Sequence, residues 1–158
     1  MNINELKDGY IVRSGLCTGY SVDGSLCKLP ILVATVKKCI TEDKIELVQI
    51  IHSPEVYVES KYIYGIELNL SILHILGFIK KDKKLAICPA PDLMNGALYE
   101  AEIDNQKVQV LCDGDEFHLC MSKTREPVKV LFVHDIQEHK KTNGKPLKID
   151  YMRFYDTV

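Results

Sequence analysis

The chain has 158 residues, with 46% hydrophobic and 27% charged residues and a formal net charge of −2. These are ordinary globular proportions, which exclude the disordered and fibrous classes, and the length suits one domain able to bury a core. The near-neutral balance excludes capture of duplex nucleic acid by the whole surface, which needs a basic footprint.

In chain order, "MNINELKDGY" carries charges where a signal peptide would have its apolar run, and no apolar stretch is long enough for a membrane span. The expected setting is therefore a cytoplasm, and the six cysteines are expected as free thiols. "GYIVRSG" and "GLCTGYSVDGS" read as strands, with a turn at Val22-Asp23-Gly24-Ser25. "PILVATVKKCI" and "DKIELVQII" flank "TED" as a hairpin of two longer strands. Ile31, Leu32, Val33 and Ala34 make both faces of the first apolar at its start, so that end is expected to be buried on both sides. "VYVES" and "KYIYGI" continue the β pattern. A soft boundary near residue 65 separates this front half, 1–65, from 66–158 within a single compact domain, 1–158.

The period then changes. Leu70, Leu73 and Leu76 recur at i, i+3 and i+6, between Asn69 as an N-cap and Gly77 as a left-handed C-cap, so "NLSILHILGF" predicts a short buried helix. "KKDKK" reads as a solvated lysine turn and "KLAIC" as a strand, ended by Pro89–Pro91, with "DLMNG" a loop or one helical turn. "ALYEAEI", "KVQVLCD" and "EFHLCMS" read as a meander joined at Asp104-Asn105 and Asp113-Gly114, followed by the strand "PVKVLFV". A helix is predicted from His134 to about Thr142, capped by Asn143-Gly144, and "LKIDYMRF" as a closing strand. The fold class is α+β and mainly antiparallel: a barrel-like or meander front half, a short central helix, a second meander, and a helix before the last strand.

Two constellations invite a chemical reading. His134 and His139 are five residues apart, about 140° around a helix, so they cannot share one metal ion as an i, i+4 pair would. Asp135 suits the helix N-terminus instead. Cys112, His118 and Cys120 fail for a different reason. With Asp113-Gly114 as a two-residue loop, Cys112 lies opposite Asp115, Val110 opposite Phe117 and Val108 opposite Leu119. Cys112 is then on the apolar face while His118 and Cys120 occupy the other, as a surface histidine beside a free cysteine. No phosphate loop, nucleophile elbow or C-x-x-C pair occurs. No catalytic residue, metal ligand or cofactor is assigned, and the balance leans against an enzyme. For nucleic acid, the candidates are Lys80, Lys81, Lys83, Lys84, Lys140 and Lys141. Tyr57, Tyr62 and Tyr64 could stack on bases but are read first as core-edge residues.

Three segments carry a family resemblance. "INELKDGYIV", "GIELNLSILHILGF" and "VKVLFVHDIQEH" followed by "TNGKPLKI" resemble small uncharacterised proteins of phages and mobile elements of Bacteroides-type gut bacteria. Together they cover about a third of the chain. Those relatives continue the last helix with large apolar residues, where this chain has His139, Lys140 and Lys141. The resemblance implies a small single-domain protein of phage or mobile-element origin, set in the bacterial cytoplasm or associated with a virion, and a structural hydrogen bond for His134 at a strand-to-helix junction. It supplies no catalytic residues. The expected function is that of a non-enzymatic accessory or interaction protein whose partner is a phage or host protein, with self-association open and no membrane partner. The alternatives are a small nucleic-acid-binding module using the lysines, not favoured, and a motif-poor enzyme acting on a host nucleotide or signal.

Overall fold

The computed structural model describes residues 1–42, 45–51, 55–89 and 96–155. It is mainly antiparallel β, in two sheets with two short α-helices. The first sheet comprises β1 (Ile11–Ser14), β2 (Cys17–Ser21), β3 (Leu26–Leu29), β4 (Leu32–Glu42), β5 (Ile45–Ile51), β6 (Val56–Glu59) and β7 (Ile63–Tyr64). Their spatial order is β3-β2-β6-β5-β4-β1-β7.

This order forces curvature. β1 and β2 are four strand spacings apart in the sheet, roughly 19 Å if it were flat at about 4.8 Å per spacing. Only Gly15 and Leu16 join them, and three Cα steps reach at most about 11 Å. The same holds for β6 and β7, also four spacings apart and joined by the single 3₁₀ turn Ser60–Tyr62. The sheet must coil towards a barrel while keeping β3 and β7 as open edges. A bulge at Lys37, where the pairing shifts between Val36 and Lys38, supplies a bend in the longest strand.

α1 (Leu70–Ile75) follows as expected. Asn69 Oδ1 accepts from Ile72 N–H at 2.8 Å, and Gly77 takes φ +90°. Leu73 and Leu76 are buried, but Leu70, in the first turn, is exposed. The second sheet is a meander of β8 (Ile79–Lys81), β9 (Ala97–Ile103), β10 (Gln106–Asp113), β11 (Glu116–Leu119) and β12 (Val128–Val130), in the order β12-β11-β10-β9-β8. α2 (Val133–His139) closes the regular structure.

Several expectations need correction. The first two lysines of "KKDKK" are not in a solvated turn but in the edge strand Ile79–Lys81, because Ile79, Lys80 and Lys81 find ladder partners in Glu100, Tyr99 and Leu98. "KLAIC" is not a strand: Lys83–Leu85 is a 3₁₀ turn, and side chains satisfy the backbone beyond it. Asn143-Gly144 does not cap α2. Both residues have positive φ, 53° and 77°, and make a tight turn in which Thr142 and Lys145 exchange two backbone bonds. "LKIDYMRF" forms no ladder strand. Leu147 N–H donates to Gln137 O, Lys148 N–H to Asp104 Oδ2, and Tyr151–Phe154 is a 3₁₀ helix capped by Asp150. At the start of β4, Leu32 and Ala34 are buried, but Ile31 is exposed and Val33 only half-buried. The loop tip in "TED", the Pro89–Pro91 break beyond Pro89 and most of "DLMNG" lie outside the described residues.

The core has two main parts. One fills the coiled first sheet, around Val12, Val36, Val48, Ile50, Val58 and Ile63. The other lies between the second sheet and both helices and includes Ile11 of the first sheet, so the two halves share apolar contacts. The segment after β7 laces them further: Leu68 N–H donates to Leu131 O and Val133 N–H to Ile66 O, both at 2.9 Å.

Candidate functional site

The strand-to-helix junction Phe132–His139 brings several chemically able side chains together. Asp135 Oδ2 accepts from the N–H groups of Leu131 and Phe132, both at 2.9 Å, so this carboxylate serves as a helix cap. His134 and His139 diverge as the helical angle requires, one half-buried and the other exposed. The expected structural hydrogen bond of His134 is not made by Nδ1, which is buried without a partner, and Nε2 stands 3.9 Å from Asp135. Ring packing holds the imidazole instead. Phe132 stacks on it at 5.2 Å with planes 9° apart, and Tyr10 lies at 5.3 Å. Beneath, Tyr10 Oη donates to Glu138 Oε2 at 2.7 Å while Lys7 and Lys141 pair with Oε1.

The protonation states follow from these contacts. Hydrogen bonding from Lys7 leads the effects that hold Glu138 down at about 2, and burial leads those that raise the Tyr10 phenol. Burial lowers the His134 pKa below its ordinary 6.5, against a partial opposing pull from Asp135 and Glu5. At neutral pH the cluster is therefore a carboxylate, a phenol and a neutral imidazole, each in its packed, settled form. A stability prediction follows. As pH falls below 6.5 the unfolded imidazole takes a proton before the folded one does, so stability should drop in that window. Urea titrations from pH 7.5 to 5 should show the drop, and it should flatten in His134→Phe. An equally steep pH dependence in that variant would refute the assignment.

The pairing of β10 with β11 differs from the expected one. Asp113 faces Glu116, Cys112 faces Phe117 and Val110 faces Leu119, because Gly114, at φ +62°, takes the first corner of a Gly114-Asp115 turn. The slip moves each partner by two residues and so leaves every side chain on its expected face. Cys112 packs at the main core, while His118 lies opposite Leu111 on the other face. Cys120 is not a surface thiol. It is fully buried with Cys88, Leu98 and Leu111, because the segment after β8 covers that face. Burial, with a hydrogen bond to Cys88, raises its pKa, the reverse of what a nucleophilic thiol needs. All six cysteines are free.

That covering segment hangs on Gln109, a fully buried residue that sequence reasoning missed. Its Oε1 accepts from Ile87 N–H at 2.8 Å, and its Nε2 donates to Leu85 O and to Glu100 Oε1, both at 2.9 Å. Gln137, also fully buried, does the same for the two halves of the molecule. It accepts from Ile11 N–H at 2.8 Å and donates to Gly9 O and Leu147 O, both at 2.9 Å. Each is a glutamine within an apolar pattern, which was the available signal.

The six lysines do not share one surface. Lys80 and Lys81 alternate across the edge strand, in register with Tyr99 and Leu98, so they point to opposite faces. Lys83 and Lys84 sit on the following 3₁₀ turn. Lys140 is half-buried, with its pKa lowered by burial, and Lys141 is paired with Glu138. Of the tyrosines, Tyr57 and Tyr62 are half-buried, whereas Tyr64 is exposed.

Three further features bear on binding. Among the described residues, no three His, Cys, Asp or Glu side chains gather as a metal site would require, and no helix is long and apolar enough to cross a membrane. A cleft of about 570 Å³ opens where β7 meets Phe132, lined by Arg13, Tyr64, Glu67 and Ile72 among others. At the opposite edge of the first sheet, the β2–β3 hairpin and its roots expose Leu16, Val22, Leu26 and Ile31. Comparison of the chain with protein-family models, curated proteins and solved structures finds no match.

Proposed function

We propose that this chain is a non-enzymatic accessory module of a phage or mobile element, and that it binds a partner protein by accepting an extended segment along the outer edge of β3. The observation that carries the reading is the coincidence of an apolar surface with a strand edge that is unpaired among the described residues. Isolated exposed apolar residues are ordinary. Here Leu16, Val22, Leu26 and Ile31 are 73, 68, 68 and 58% exposed within sixteen residues of sequence. Ser21 N–H donates to Ser25 O, which places Ser21 and Ser25 in a hydrogen-bonded pair. By the alternation of the antiparallel ladder, Cys27 and Leu29 face β2, while Leu26 and Lys28 turn their backbone groups outward. Lys28 is the only charged residue of the strand, so the edge carries little of the protection that natural edge strands usually have. Strand addition supplies main-chain bonds there, and the neighbouring apolar side chains supply selectivity.

A photo-crosslinking residue at position 26, introduced in cells carrying the gene, should label one protein that the same residue at position 129, on the far sheet, does not. Lys28→Pro removes an outward N–H without touching the ladder to β2 and should abolish the label. Equal labelling at both positions, or labelling indifferent to Lys28→Pro, would defeat the proposal. A second copy of this chain as the labelled species would make the edge a self-association surface instead.

A further inference from the structure

We infer that the cleft beside β7 is a binding site for a nucleoside phosphate, either free or at the end of a nucleic-acid strand. Arg13 and Tyr64 are cross-strand partners on β1 and β7, and the guanidinium lies over the tyrosine ring, 5.2 Å from its centroid. A guanidinium held over a ring in a cation–π contact keeps N–H donors to offer, in the fork that matches phosphate oxygens. Among the described residues no carboxylate lies within ion-pair distance of Arg13; the ion pairs found there all use other cations. An unquenched arginine in a concave surface leaves the cleft with an unmet preference for an anion.

The rest of the lining narrows the class. Tyr64 and Phe132 offer aromatic surface for a flat ring, and Ile72 an apolar wall. Glu67, also in the lining, is an acceptor suited to amino or hydroxyl donors on that ring or its sugar. A bare phosphate would leave the aromatic walls unused, and an aromatic carboxylate would leave Glu67 without a donor. About 570 Å³ lies within the usual range for small-molecule sites, roughly 300–1,000 Å³. Phe132 is further fixed by its stack on His134, so this wall is built before any ligand arrives.

The test is calorimetric titration of the intact chain with AMP, GMP and UMP, with adenosine and inorganic phosphate as half-ligands. At least one nucleotide should bind saturably, and each half-ligand about tenfold or more weakly. Arg13→Ala should cost about tenfold or more, the loss of one charge-assisted contact. Arg13→Lys should recover only part of that, and Tyr64→Ala, which removes an aromatic wall, should weaken the nucleotide more than inorganic phosphate. A 5′-phosphorylated trinucleotide binding tighter than its mononucleotide would assign the strand end; equal or weaker binding would assign the free nucleotide. No saturable binding of any nucleotide, or affinity unchanged in a folded Arg13→Ala protein, would overturn the inference, as would an aromatic carboxylate such as benzoate binding equally well.

Discussion

Gln137→Leu should destabilise the protein by roughly 3–5 kcal/mol, although leucine is close to glutamine in size and suits a buried position. The substitution strands Ile11 N–H and Leu147 O inside the protein and Gly9 O in a part-buried position, and an unpaired buried backbone group costs about 1–3 kcal/mol. The backbone bond from Leu147 N–H to Gln137 O survives, so the loss should track the side chain alone. Urea unfolding followed by circular dichroism gives the number. A loss below about 1 kcal/mol would mean that water reaches these groups and that the glutamine is not the clamp described. Gln137→Glu is the informative companion: it keeps the acceptor for Ile11 and loses both donated bonds, so it should be destabilised as well.

Gly65→Ala is expected to cost about 3 kcal/mol, the upper end of what overpacking by one methyl usually does. Its backbone φ is not in the left-handed region, so the cost is steric. A Cβ there would stand 2.8 Å from His134 Cε1 and 2.8 Å from Phe132 Cδ1. Those rings are stacked on each other and backed by Tyr10, so neither can retreat cheaply. Phe132→Leu should relieve part of the clash, making the double variant less destabilised than the sum of the singles. Strict additivity in a double-mutant cycle would show that residue 65 and the ring stack do not touch.

Features encoded by neighbours in sequence were legible. Asn69 and Gly77 bracket α1 because each acts within one turn of the helix. Asp104-Asn105 could be read as a hairpin because both residues tolerate the positive φ that the turn imposes, 51° and 61° here. The faces of β10 and β11 survived an error in register because the slip was an even number of residues. Features that depend on distant partners were not legible. "KLAIC" has strand composition, yet its backbone is held by the Gln109 side chain more than twenty residues on. Asn143-Gly144 has the composition of a helix cap, but Thr142 finds Lys145 first and makes a separate turn. Cys120 looked exposed because nothing local announces the segment that covers it. Arg13 gave no signal at all: a single arginine in "YIVRSG" gains interest only when β7 places Tyr64 beside it.

The bond between Ile11 and Gln137 spans 126 residues of chain, and it has a consequence for how the protein is made. During synthesis β1 emerges well before α2, and the helix that satisfies it appears only after every intervening strand has been translated. Until then Ile11 N–H lacks its Gln137 acceptor, and this lock on the front half closes late. Ribosome-stalled chains ending shortly before α2 should accordingly remain protease-sensitive through β1, whereas chains in which α2 has cleared the exit tunnel should become resistant in a single step.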